Sequence, residues 1–89
     1  MPTISMFYGI LISLFFRDDR RHHPPHIHAR YQGHTASLAI EDGTILDGKL
    51  PSRQLKMVQA WIEIHKDELL ADWELAVNGE EPFRIAPLQ

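Results

Sequence analysis

The pair Gln32-Gly33 constrains the fold most, because it stands between two segments in which apolar and polar residues alternate. This arrangement is typical of a two-residue β-hairpin turn, and such a turn fixes the register. Arg30 is expected opposite Thr35, and His28 opposite Ser37. Side chains alternate along a strand, so the hairpin has one apolar and one polar face. The apolar face carries Ile27, Ala29, Ala36, Leu38 and Ile40, and the polar face carries His26, His28, Arg30, Thr35 and Ser37.

The segments on either side of this hairpin predict further strands. Residues 5–16 are apolar and rich in β-forming residues, which predicts one long buried strand with a bulge at Gly9. Asp42-Gly43 predicts a second tight turn that pairs Ile45 with Ile40. The sequence therefore predicts an antiparallel meander of about four strands over residues 4–47.

After Pro51 the spacing of apolar residues changes to that of a helix. Leu55, Val58 and Ile62 form one apolar stripe, and a second follows a break near residue 66. Asn78-Gly79 is typical of the C-terminal end of a helix. We expect a helical pair over residues 52–78 and an extended tail over residues 79–89. The class is α+β: a single domain over residues 1–89, with two helices packed on one face of the sheet.

Length and composition exclude several classes of protein. An 89-residue chain of 10.3 kDa holds one modest core. It has no cysteine, which excludes disulfide scaffolds, thiol nucleophiles and cysteine metal sites. The longest apolar stretch, residues 4–16, is too short to span a bilayer, and the features of a signal peptide are missing. We therefore expect a cytoplasmic protein with no membrane partner.

The net charge of −3 is unevenly distributed. Residues 1–40 contain four arginines, two aspartates and five of the six histidines, whereas residues 41–89 contain ten acidic and five basic residues. An anion-binding surface must therefore come from the first half of the chain. The acidic second half favours a basic partner surface over nucleic acid.

The histidines that follow Pro24-Pro25 are the strongest candidates for chemistry. His26 and His28 lie two residues apart on a strand and point the same way, about 6–7 Å from each other. Such a pair can hold a metal, grip a phosphate, divide acid and base roles, or simply form the solvated face of a hairpin. Arg30 continues the row, and a cation beside the pair favours an anion over a metal. If a divalent metal is bound, its candidate ligands are His22, His23, His26 and His28.

The chain also resembles a family of short bacterial proteins classified as a domain of unknown function. The resemblance covers nearly the whole chain. It rests on Met1-Pro2-Thr3-Ile4, Phe7-Tyr8-Gly9-Ile10, Pro24-Pro25-His26-Ile27-His28 with Tyr31, Gly48-Lys49-Leu50-Pro51, and Trp61, His65, Glu68, Leu69 and Trp73.

The resemblance implies a function and a partner. Members are commonly encoded beside a second small open reading frame, and the pair is similar to a type II toxin–antitoxin module in which this family is the toxin. It implies a small cognate protein from a neighbouring gene as partner. The matching positions that could carry activity are His26, His28, Tyr31 and His65.

We therefore expect a toxin that acts on RNA, and three hypotheses for its mode of action stay open. The first is a metal-independent endoribonuclease with no cofactor, in which the outward-facing His26 and His28 exchange protons with the 2′-hydroxyl and the leaving oxygen while Arg30 stabilises the phosphorane. The second is a non-catalytic module that binds its partner through the sheet face or the acidic helices. The third is a histidine metal-binding protein. In each case an exposed sheet also allows a homodimer.

Overall fold

The structure is a computed structural model that describes residues 2–14 and 24–89. The described residues form one antiparallel sheet in the order β1-β2-β3-β4-β5, followed by two helices. This confirms the predicted α+β class. The elements are β1 (Thr3–Phe7), β2 (Ile10–Ser13), β3 (His26–Tyr31), β4 (His34–Ala39), β5 (Ile45–Gly48), α1 (Ser52–Ile64) and α2 (Lys66–Val77).

The first apolar segment is a hairpin, so the prediction of one strand over residues 5–16 is wrong. Tyr8 and Gly9 have φ values of 49° and 78° and turn the chain back on itself. Phe7 then pairs with Ile10. The continuous apolar run has no alternation for a turn to interrupt, and a tyrosine rarely adopts a positive φ. For these reasons the sequence pattern did not predict the turn. Residues 15 and 16, the last two of the predicted strand, lie outside the described residues.

The central hairpin has the register that its turn predicts. His28 pairs with Ser37 and Arg30 pairs with Thr35 across β3 and β4. The next connection is longer than predicted, because the amide of Ala39 donates to the Thr44 carbonyl at 2.9 Å and closes a wider loop. Ile45 consequently pairs with Leu38, and the expected pairing with Ile40 is wrong.

The apolar face of the sheet packs against both helices. Trp61 of α1 is fully buried there, with its ring centroid 5.4 Å from that of Phe7 and its indole N–H donating to the Ala86 carbonyl at 2.8 Å. Burying a side chain of this size stabilises the fold by about 2–3 kcal/mol. The other buried apolar residues of this core include Ile12, Ile27, Leu38, Val58, Ile62 and Leu69.

The segment after α2 is held against the body of the domain. The Ile85 amide donates to the Ile4 carbonyl of β1 at 2.8 Å, and the Phe83 amide donates to Oδ1 of Asp72 at 2.9 Å. These contacts cover part of the β1 edge, which reduces its tendency to pair with other chains. Neither helix of the described chain is long and apolar enough to cross a bilayer.

Asp72 makes the stability of the fold depend on pH. Its side chain is buried, and this burial raises the pKa of its carboxyl above the ordinary value of 3.8; the Phe83 hydrogen bond opposes the shift and Glu68 adds to it. A raised pKa in the folded state means that the folded protein holds the proton more tightly. Stability therefore falls as pH rises from 3.8 through the folded-state pKa.

We predict that Asp72→Asn removes this loss, because the amide oxygen still accepts from Phe83 and carries no charge. The free energy of unfolding of the variant, relative to the native protein, should increase as pH rises above 3.8. Urea titrations at a series of pH values measure this difference. If the difference in the free energy of unfolding between the two proteins did not change with pH, the raised pKa of Asp72 would be contradicted.

Candidate functional site

Two rows of side chains cross the polar face of the sheet from strand to strand. Directly opposed residues of antiparallel strands lie on the same face, so the register alone defines these rows. The first, called here the His28 row, consists of Thr3, Ser13, His28, Ser37 and Asp47. The second, the Arg30 row, consists of Met6, Leu11, Arg30 and Thr35.

His26 is held rigidly at the start of β3. Its Nδ1 donates to the Pro24 carbonyl at 3.0 Å; a carbonyl can only accept, so the proton is on Nδ1. The centroid of its ring lies 5.1 Å from that of Trp73 and 5.2 Å from that of His28, which it meets edge-on. The Pro-Pro segment thus supplies a fixed acceptor that orients the first histidine.

Exposure increases along β3 from His26 to Arg30. His26 is only 2% exposed, His28 is half-buried and Arg30 is exposed. The prediction that both histidines point outward is therefore wrong for His26. The Nε2 atoms of both rings are buried as well. A ligand on this face can contact Arg30 directly, whereas the ring of His26 is enclosed and contacts that of His28.

Ser37 is the hydrogen-bonding partner of His28 on the polar face. Its Oγ lies 3.3 Å from Nδ1 of His28, on the paired strand. Asp47 of β5 pairs with Ser37 on the other side and is exposed. The hydroxyl can therefore donate to Nδ1 of His28 or to a ligand on this face.

Two shallow cavities, each of about 140 Å³, meet at His28 and Thr35. The first also contains Arg30 and has an apolar wall formed by Leu11. The second also contains Ser37 and Asp47. The two cavities differ in charge, because a cation lies on the first and an anion on the second.

Arg30 is the only lysine or arginine in the five described strands. Arginine stays charged at all relevant pH values and its planar fork matches phosphate and carboxylate. Hydroxyl and imidazole groups lie beside it. The first cavity is therefore suited to an anion, whereas Asp47 repels anions from the second.

Two candidate residues lie away from this surface. Alternation along β3 places Tyr31 on the apolar face, where it packs against the core and its hydroxyl accepts from Gln32. His65, between the helices, contacts the carboxylate of Glu68 and lies 5.5 Å from Trp61 between ring centroids. It lines a separate cavity of about 310 Å³ with the chain end, residues 86–89. The structure brings together His26, His28 and Arg30 but gives Tyr31 and His65 other surroundings.

The metal hypothesis gains no support from the described residues. Within residues 2–14 and 24–89, no group of three or more His, Asp or Glu side chains could hold a metal ion. Two of the proposed ligands, His22 and His23, lie outside the described residues.

Five members of the two rows were not predicted from the sequence. Ser13, Met6 and Leu11 were assigned to one long strand, so their cross-strand pairs did not follow: Ser13 with His28, Leu11 with Arg30, and Met6 with Leu11. Thr3 was outside that predicted strand. Asp47 was missed because the turn before β5 was predicted to be too short. A turn assigned to Tyr8-Gly9 would have predicted the pairs that Ser13, Met6 and Leu11 form.

A family model described as "Domain of unknown function (DUF4160)" matches residues 9–74. The match begins in the β1–β2 turn and ends within α2, so it includes His26, His28 and Arg30. No curated protein and no solved structure matches the chain. The resemblance to a family of unknown function is confirmed.

We predict that His26 and Arg30 differ in their effects on stability. His26→Ala removes a buried ring and its hydrogen bond, which should lower the free energy of unfolding by about 2–3 kcal/mol. Arg30→Ala, at an exposed position of the same strand, should change it by less than about 0.5 kcal/mol. Urea denaturation measures both. If both substitutions changed the free energy of unfolding by the same amount, the buried ring of His26 would contribute no more to stability than the exposed side chain of Arg30.

Proposed function

The chain belongs to the family defined by this domain of unknown function (DUF4160), and we propose that it binds RNA through the polar face and is the toxin of a bacterial two-gene module. The toxin role and its bacterial setting are proposed from the resemblance of the motifs, and the cytoplasmic location is proposed from the sequence features described above. The choice of surface follows from the position of Arg30.

The observation that carries the proposal is the cluster around the first cavity. Arg30, Thr35 and His28 line a single depression of about 140 Å³, together with Leu11, Ser13 and Ala29. A phosphodiester carries one negative charge and presents oxygens that accept hydrogen bonds. A cation and hydroxyl donors on one open surface supply what such a group requires.

RNA is proposed as the ligand because it carries its own nucleophile. The 2′-oxygen can attack the adjacent phosphorus, which forms the 2′,3′-cyclic phosphate and breaks the bond to the 5′-oxygen. The protein then has to place the phosphate and move protons. Arg30 would stabilise the additional negative charge of the phosphorane.

Cleavage by this surface would require a proton route other than the two exposed histidines expected from the sequence. Ser37 offers one: its hydroxyl can take the 2′-hydroxyl proton while passing its own to Nδ1 of His28. The departing 5′-oxygen would take a proton from water. In this scheme His26 only orients His28.

The cognate protein is proposed to bind elsewhere, on the outer face of α2. Leu70 and Val77 are 39% and 46% exposed, one heptad apart on this helix, and Glu74 lies between them. An apolar pair with a carboxylate at its centre fits a partner with apolar and basic side chains. Asp72 is buried and therefore plays no direct part in this surface.

We predict opposite effects of the two charges on RNA affinity. Arg30→Gln should weaken binding about tenfold and reduce the slope of log K against log salt by about one, because one phosphate contact is lost. Asp47→Asn should strengthen binding, since it removes repulsion at the end of the His28 row. Fluorescence anisotropy with a labelled RNA at several salt concentrations measures both.

Controls with exposed charges on other elements separate local from general electrostatics. Arg53→Gln on α1 and Glu80→Gln after α2 make the same changes in net charge. They should leave affinity nearly unchanged. If each control matches the effect of its counterpart on the sheet, net charge rather than the polar face governs binding.

We predict that induction of the protein alone arrests growth of a bacterial host, and that an Arg30→Gln/Ser37→Ala double variant does not. Both substitutions lie on the partly open face, so the variant should accumulate as a folded protein. Optical density after induction, with soluble protein measured in parallel, tests this. Equal arrest by both forms would place the toxic activity on another surface, and no arrest by either would contradict the toxin proposal.

A further inference from the structure

The Arg30 row contains two neighbouring apolar residues, Met6 and Leu11. Met6 of β1 is 59% exposed, and Leu11 of β2 is half-buried. Leu11 forms one wall of the cavity that also contains Arg30. A single exposed apolar side chain is ordinary, but these two are neighbours.

Their register places them side by side next to the cation. Met6 pairs with Leu11, and Leu11 pairs with Arg30. Paired residues of adjacent strands have Cβ atoms about 5 Å apart, so the two side chains form a continuous apolar platform. Its two halves lie one and two strand spacings from Arg30, about 5 and 10 Å.

A platform of this kind beside a phosphate site matches the composition of a nucleotide. The two faces of a nucleobase are apolar, and packing one of them against an apolar side chain removes apolar surface from water irrespective of base identity. Resting on the proposed RNA-binding function, we propose that Met6 and Leu11 hold an unpaired base whose phosphate contacts Arg30. The ligand is therefore single-stranded RNA.

The charge of the sheet argues against duplex RNA. Recognition of an A-form duplex depends on contacts with several phosphates and 2′-hydroxyls, because its bases are stacked inside. The described strands offer one cation, Arg30, for this purpose. Contact with an unstacked base supplies affinity that a single phosphate contact does not.

The test compares one labelled RNA sequence as a single strand and as a duplex with its complement, by fluorescence anisotropy. The native protein should bind the single strand at least about tenfold more tightly. Met6→Ser should weaken single-strand binding about fivefold, which corresponds to about 1 kcal/mol. The salt slope should not change, since an apolar contact releases no counterions.

Ile64→Ser is the matched control, because Ile64 is 65% exposed and lies on α1. It should leave affinity unchanged. Circular dichroism verifies that both variants are folded, as expected for exposed positions.

The possible failures can be distinguished. Equal affinity for single-stranded and duplex RNA overturns the inference and leaves RNA binding by the protein intact. The same holds if Met6→Ser has no effect while Arg30→Gln weakens binding. Failure of the native protein to bind either RNA overturns both this inference and the proposed function.

Discussion

Burial of Trp61 against the apolar face of the sheet is the interaction on which the rest of the structure depends. The indole has no solvent exposure, contacts Phe7 and donates its N–H to the segment that follows α2. It thereby joins the sheet, the first helix and the tail in one core. Because side chains alternate along each strand, closing one face with apolar residues commits His28 and Arg30 to the other. The position of the candidate site is thus a consequence of how the core is built.

The chemistry of the polar face changes along β3. At one end His26 is enclosed and fixed by the Pro24 carbonyl; at the other Arg30 is free to meet a ligand. His28 lies between them, joined to Ser37 across the strand pair. The Pro-Pro-His-x-His motif therefore holds one buried and one partly accessible ring, and the two histidines are not equivalent.

The sequence was most informative where local chemistry determines geometry. Gln32-Gly33 between alternating segments predicted the register of β3 and β4, and with it the placement of His28, Arg30 and Ser37. It was least informative where a turn lay within a continuous apolar run, as at Tyr8-Gly9, or where a loop was longer than its turn signal suggested, as before Ile45. Both errors removed residues from the predicted site, since Leu11 and Asp47 depend on those two registers. The burial of His26 could not be predicted for another reason: alternation along a strand assigns a side chain to one face of the sheet but does not show which other side chains pack over it.

The central claim is that RNA binds to the polar face of the sheet and not to the helices. The most direct test is to follow the backbone amide resonances of ¹⁵N-labelled protein by NMR during titration with a single-stranded RNA. The account predicts that the largest shifts map to Leu11, Arg30, Thr35 and Ser37, with little change in α1 and α2. Shifts concentrated on α2 would contradict it. The absence of shifts at RNA concentrations up to about 1 mM would also contradict it, because any complex with a binding free energy stronger than about 4 kcal/mol would form at that concentration.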